Sequence, residues 1–149
     1  MNNFKATKTE PKHLSDDKLI IQFIIMQDFF KDLKVIELAG VLAGPSVGMF
    51  FSELGAKVHK IENKRTDGDI TRQWKQKNED PHSKSSAYFA SINWSKEHLF
   101  LDLRNENEKS ICLDLIADAD ILISNFKSSS AIKLGLDHES LKKLNENLI

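Results

Sequence analysis

Gly40-Val41-Leu42-Ala43-Gly44-Pro45 is a stretch whose residue types and spacing could do chemistry. Two glycines bracket three apolar residues, and a proline follows where a helix would begin. Proline holds φ near the helical value and lacks the N–H that a first-turn residue leaves unpaired, so Pro45 suits the first helical position. Such a turn carries free backbone N–H groups to the positive end of a helix dipole, a setting that favours a phosphate or other anion. The same pattern also makes an ordinary tight connection, and the glycines alone do not separate the two readings. Arg72, Lys96, Arg104, Lys127 and Lys133 lie in or beside the expected strand-to-helix connections. On one edge of a parallel sheet they would gather charge around the glycine turn, as a polyphosphorylated ligand requires. A solvated lysine-rich surface is the alternative.

Other chemistries find little support. The five histidines (His13, His59, His82, His98 and His138) are scattered, and none pairs with a second histidine or a cysteine at ligand spacing, so no metal site is expected. Cys112 sits among apolar neighbours in an expected helix and reads as a small buried hydrophobe. Ser46 lies outside the G-x-S-x-G setting of a nucleophile elbow. Glu62 occupies the place of an acid that binds a dinucleotide ribose, but Gly40 and Gly44 do not complete G-x-G-x-x-G.

The elements that must position these residues follow from periodicity. Lys34–Leu38 is a short run with two β-branched residues and reads as a buried strand. A helix from Pro45 is expected to present Val47, Met49, Phe50, Phe51 and Leu54 as its apolar face and to stop at Gly55 in the left-handed conformation. Lys57–Glu62 resumes as a strand, and such a strand–helix–strand unit makes a right-handed crossover. Asn63–Ser86 is a long polar connection, and Ala87–Ile92 forms a helical turn. Leu99–Leu103 is the expected third strand, Glu106–Ala119 a helix and Asp120–Ile123 the fourth strand. A short helix over Ser130–Leu134 stops at Gly135, and Asp137 caps a last helix carrying Leu141 and Leu144. Leu148-Ile149 reads as the opening of a further strand. The fold class is therefore α/β, a Rossmann-like parallel sheet with flanking helices, truncated, with ligands at the strand carboxyl ends.

The totals agree. A chain of 149 residues, 40% hydrophobic and 29% charged, is ordinary for one soluble domain. Its net charge of −1 makes no case for nucleic acid or an anionic membrane as partner. A single cysteine excludes an internal disulfide and suits a reducing, cytoplasmic setting. No run reaches the roughly 18 apolar residues of a membrane span. Residues 1–30 form a leader, disordered over Met1–Asp17 and a possible amphipathic helix over Leu19–Phe30, with Met26 as an alternative start. Residues 31–149 form the folded portion.

Over Leu33–Ile149 the chain resembles the class III CoA-transferases, the family of formyl-CoA transferase and the carnitine CoA-transferases. The likeness rests on V-I-E-L-A-G-V-L-A-G-P (35–45), L-G-A-K-V-H-K-I-E (54–62) and G-D-I-T-R-Q-W (68–74). It continues through Y-F-A-S-I-N (88–93), L-D-L-R (101–104), A-D-I-L-I-S-N-F (119–126) and L-G-L (134–136). The resemblance implies coenzyme A contacts from Leu42 and Ala43, from Leu101, Asp102, Leu103 and Arg104, from Asn125, Phe126 and Lys127, and from Lys133. Asn63 stands where the family usually has an arginine, with Lys64 and Arg65 as cations able to replace it. Coenzyme A or acyl-CoA is then a substrate, no cofactor is permanently bound, a carboxylic acid is the acceptor, and the full-length family is homodimeric.

The family's nucleophile is an aspartate that attacks the thioester. Its equivalent falls beyond Ile149, so no catalytic residue is assigned and this chain alone is expected to be inactive. An apolar surface is also expected on the helices and last strand. The rival readings are a stand-alone nucleotide- or CoA-binding or assembly module and a nicotinamide dehydrogenase fragment.

Overall fold

Alternation along Lys34–Leu38 (β1) sends Val35 toward one side of a sheet and Ile36 and Leu38 toward the other, and all three are buried. The computed structural model describes residues 28–149; the expectations for Met1–Asp17, most of Leu19–Phe30 and Met26 lie outside them. After β1 come α1 (Ala43–Glu53), β2 (Lys57–Asn63), two 3-10 turns (Lys64–Thr66 and Ile70–Gln73), α2 (Ala87–Asn93) and β3 (Glu97–Leu101). Then follow α3 (Glu106–Ala117), β4 (Ile121–Ser124), α4 (Ser128–Leu134) and α5 (His138–Leu144). All strand pairs are parallel and the order is β3-β2-β1-β4. The chain steps outward from β1 to β3 and then returns to the far side of β1. The order therefore reverses between β1 and β4, the point at which open α/β sheets bind ligands.

Two apolar layers hold the sheet. Val35, Ala56 and Val58 pack with Phe30, Phe51, Ile121 and Ile123 on the α1 side. Ile36, Leu38, Ile61 and Leu101 pack with Cys112 and Ile116 of α3 and Leu141 of α5 on the other. At the outer edge of β4, the Leu122 N–H donates to Ile149 O at 2.9 Å and the Ile149 N–H to Asp120 O at 3.1 Å, although Leu148-Ile149 is not itself a strand of the sheet.

Several local expectations shift. Pro45 is the third residue of α1, still within the turn whose N–H groups lack partners. The helix packs through Gly44, Pro45, Gly48 and Ser52, whereas Val47 and Phe50 face outward. Its inner face must be small because a Cβ at Gly48 would overlap the Glu37 carboxylate. Gly55 has φ 96° and ends the helix as expected. The third strand begins two residues early, at Glu97, because His59 to Asn63 of β2 pair with Glu97 to Leu101. The fourth runs to Ser124, paired with Leu38. α4 begins at Ser128 rather than Ser130.

Candidate functional site

The loops after β1, β2, β3 and β4 meet at one rim and enclose a cleft of about 490 Å³. Leu38–Gly40 form one wall, Glu62, Asn63 and Arg65 another, Leu101–Arg104 a third, and Phe126 with Leu134 the last. The lining is mostly apolar with charge at its edge, the composition of a site for an amphipathic small molecule.

The Gly40–Ala43 turn is fixed from two sides. The Asn125 side chain accepts from the Gly40 N–H at 3.3 Å and donates through Nδ2 to Gly40 O at 3.0 Å. Val41 has φ 72°, and its N–H donates to the Asp69 carboxylate at 3.1 Å. No side chain caps the start of α1, so the N–H groups of Ala43 and Gly44 have no capping acceptor there.

Below the turn lies a charged cluster that the sequence reading did not anticipate. Lys60 donates to Glu37 at 2.7 Å and to Ala39 O at 2.6 Å, and sits 3.3 Å from Asp69. Lys96 donates to Glu37 at 2.8 Å, Pro45 O at 2.7 Å and Asn93 at 2.9 Å. The side chains of Glu37, Lys60 and Lys96 are fully buried. Burial pulls the Lys96 ammonium below its ordinary pKa, against the opposing pull of Glu37. The available signal was register: Glu37 and Lys60, both charged and both mid-strand, are paired residues of neighbouring strands. At the end of β2, Arg72 grips Glu62 with two bonds of 2.7 and 2.5 Å while stacking 3.8 Å over Phe89. Burial pushes the Glu62 carboxyl up, but Arg72, His98 and the Asp69 N–H outweigh it and hold the group at about 2.

These pairings correct the expected cation cluster. Arg72 and Lys96 are committed to buried carboxylates, and Lys127 and Lys133 are exposed residues outside the cleft lining. Lys64 pairs with Glu108 at 2.8 Å. The cations on the cleft wall besides buried Lys60 are Arg104 and Arg65, whose nearest carboxylate is Asp102 at 4.0 Å. Asn63 caps the 3-10 turn that carries Arg65, accepting from its N–H at 3.0 Å. Of the residues the sequence selected, Asn63, Leu101, Asp102, Leu103, Arg104 and Phe126 line the cleft. Asn125 is bonded to its wall, and Leu42 and Ala43 stand at the start of α1. Cys112 is fully buried, and burial raises its thiol to about 12, which removes it as a nucleophile. Among the described residues no group of histidine, cysteine and carboxylate side chains could hold a metal, and no helix is long and apolar enough to cross a membrane.

Known proteins resemble this chain in sequence and in fold. A succinate–glutarate CoA-transferase from Agrobacterium fabrum is 40% identical over 120 residues, covering 78% of this chain and 30% of that protein. A cinnamoyl-CoA:phenyllactate CoA-transferase from Clostridium sporogenes is 36% identical over 123 residues, covering 82% of this chain and 29% of that one. The crystal structure of a CAIB/BAIF family protein from Brucella suis superposes with a TM-score of 0.66 at 42% identity, over 76% of this chain and 30% of that chain. The chain thus spans about 30% of the length of the curated relatives it matches. The family model for CoA-transferase family III matches residues 30–149, and the chain belongs to that family.

Proposed function

We propose that residues 31–149 are the coenzyme A-binding portion of an enzyme that transfers coenzyme A from an acyl-CoA to a carboxylic acid. The observation that carries this reading is the convergence of Gly40, Leu101–Arg104 and Phe126 on one cleft. Leu101, Leu103, Phe126 and Leu134 supply apolar surface for the adenine and the pantetheine chain. Arg65 and Arg104 supply positive charge for the phosphates, and the uncapped N-terminus of α1 adds the helix dipole. Two relatives are themselves named as CoA-transferases acting between acids or acyl-CoA and acid, which supports the reaction class.

Binding does not supply the transfer step. A carboxylate nucleophile must approach the thioester carbon with a free oxygen. Among the cleft-lining carboxylates, Glu62 is held by Arg72 and Asp69 by Val41 and Thr71, while Asp102 accepts from the Arg104 N–H through Oδ1 at 3.1 Å and faces Arg65 with Oδ2 at 4.0 Å. No aspartate among these residues matches the nucleophile that the family resemblance implies, so the 149 residues alone are expected to bind coenzyme A and to transfer nothing. Titration calorimetry with coenzyme A and chromatography of succinyl-CoA plus glutarate test the two halves. Saturable binding with no new thioester is the expected result. No binding would remove the first half, and formation of glutaryl-CoA would remove the second.

A further inference from the structure

We propose that Asp69 is a positioning residue for the cleft: its buried carboxylate holds Val41 in a left-handed conformation and so sets the turn that runs from the Gly40 wall of the cleft to the start of α1 at Ala43. This deepens the coenzyme A reading and rests on it. Three non-glycine residues have positive φ among those described: Val41 at 72°, Asp67 at 57° and Ser95 at 61°. Only Val41 is β-branched, and for such a residue this conformation is a true outlier that surrounding structure must enforce.

The enforcing contacts are visible. Asp69 Oδ2 accepts from the Val41 N–H at 3.1 Å and lies 3.3 Å from Lys60 Nζ. Its Oδ1 is aimed by the Thr71 N–H at 3.0 Å and the Thr71 hydroxyl at 2.8 Å. The Asp69 side chain is only 2% exposed, and its own N–H donates to Glu62 at 2.9 Å. Gly40, Asp69 and Glu62 all line the cleft. The carboxylate therefore carries the order of the β2 loop into the β1–α1 turn, while Asn125 holds Gly40 from the other side. Without the Asp69 contact, Val41 relaxes to negative φ and swings Leu42 and the first N–H groups of α1 away from the cleft.

A double-mutant cycle on the full chain tests this. Asp69→Asn keeps the volume and the oxygen that accepts from Thr71, but turns a donor toward the Val41 N–H. It is expected to weaken coenzyme A binding at least about fivefold by calorimetry. In a Val41→Gly background, where positive φ needs no enforcement, the same substitution is expected to cost less than about twofold. NMR shifts should place Val41 at negative φ in the Asp69→Asn protein, with β1 and β2 unchanged. Thr71→Val, which removes the hydroxyl that aims Asp69, should give the same pattern at smaller amplitude and covers the case of an Asp69 variant that fails to fold. Equal losses in both backgrounds, or Val41 keeping positive φ, would overturn the proposal. Absence of binding by the unmodified chain would instead overturn the coenzyme A reading, and the Val41 dihedral would then decide on Asp69 by itself.

Discussion

Glu62, one residue before the end of β2, stands where a dinucleotide-binding strand presents its ribose acid, yet its oxygens already serve Arg72, His98 and the Asp69 N–H. The side chain is 1% exposed, so its folded pKa of about 2 against an ordinary 4.5 translates into stability. A depressed carboxyl stabilises the fold fully above its unfolded value and loses that contribution as pH falls toward its folded value. The window is therefore pH 4.5 down to about 2, and the share at stake is about 3 kcal/mol. Urea unfolding measured across this range should show a steep fall for the natural chain. Glu62→Gln should be less stable at neutral pH and markedly flatter below pH 5. Two parallel curves would mean that Glu62 is not the group that titrates. Sequence spacing alone could not reveal this, because the acid's partners lie 10 and 36 residues away.

At the scale of elements, α1 inverts the usual rule. Apolar periodicity pointed to Val47, Met49, Phe50, Phe51 and Leu54 as its packing face, but the residues the helix buries are Gly44, Pro45, Gly48 and Ser52, with Phe51 half-buried against Val35 and Val58 and Phe50 left 54% exposed. Strand and helix positions were legible because each follows from a period or a punctuating glycine. Which face of α1 turns inward was not, because it depends on the Glu37–Lys96 pair rising from β1 and β3's approach. The consequence is an unusual pair of stabilities. On helix propensity alone, Gly48→Ala would gain about 1 kcal/mol. Overlap with Glu37 instead forces a buried ion pair apart, and a net loss of about 2 to 3 kcal/mol is expected. Phe50→Ser, a large change on an exposed face, should cost under about 1 kcal/mol. Chemical denaturation of the two variants checks the order, and a more damaging Phe50→Ser would restore the conventional face.

For the molecule as a whole, the cleft lies at the carboxyl ends of the parallel strands, and the βαβ grammar made that rim legible before any coordinates. The charge on the rim was not legible. Of five cations expected there, two are held by buried acids and two lie outside the lining, so the electrostatic case narrows to Arg104 and to Arg65, which the resemblance offered only as a stand-in for the family's arginine at position 63. Net charge is −1, so no overall field draws in an anion, and any attraction must be local. A local pair of guanidinium groups predicts a distinctive salt response. Coenzyme A affinity should fall as ionic strength rises, because the Debye length shrinks from about 10 Å at 0.1 M to about 3 Å at 1 M. Removing the pair with Arg65→Ala plus Arg104→Ala should weaken binding by roughly 10- to 100-fold at low salt, from about 1.5 to 3 kcal/mol in charge-assisted bonds. The remaining affinity should then be nearly insensitive to salt, since the apolar walls carry it. If the double variant kept the full salt slope, the phosphates would be meeting other cations, and exposed Lys127 and Lys133 beyond the lining would become the residues to substitute next.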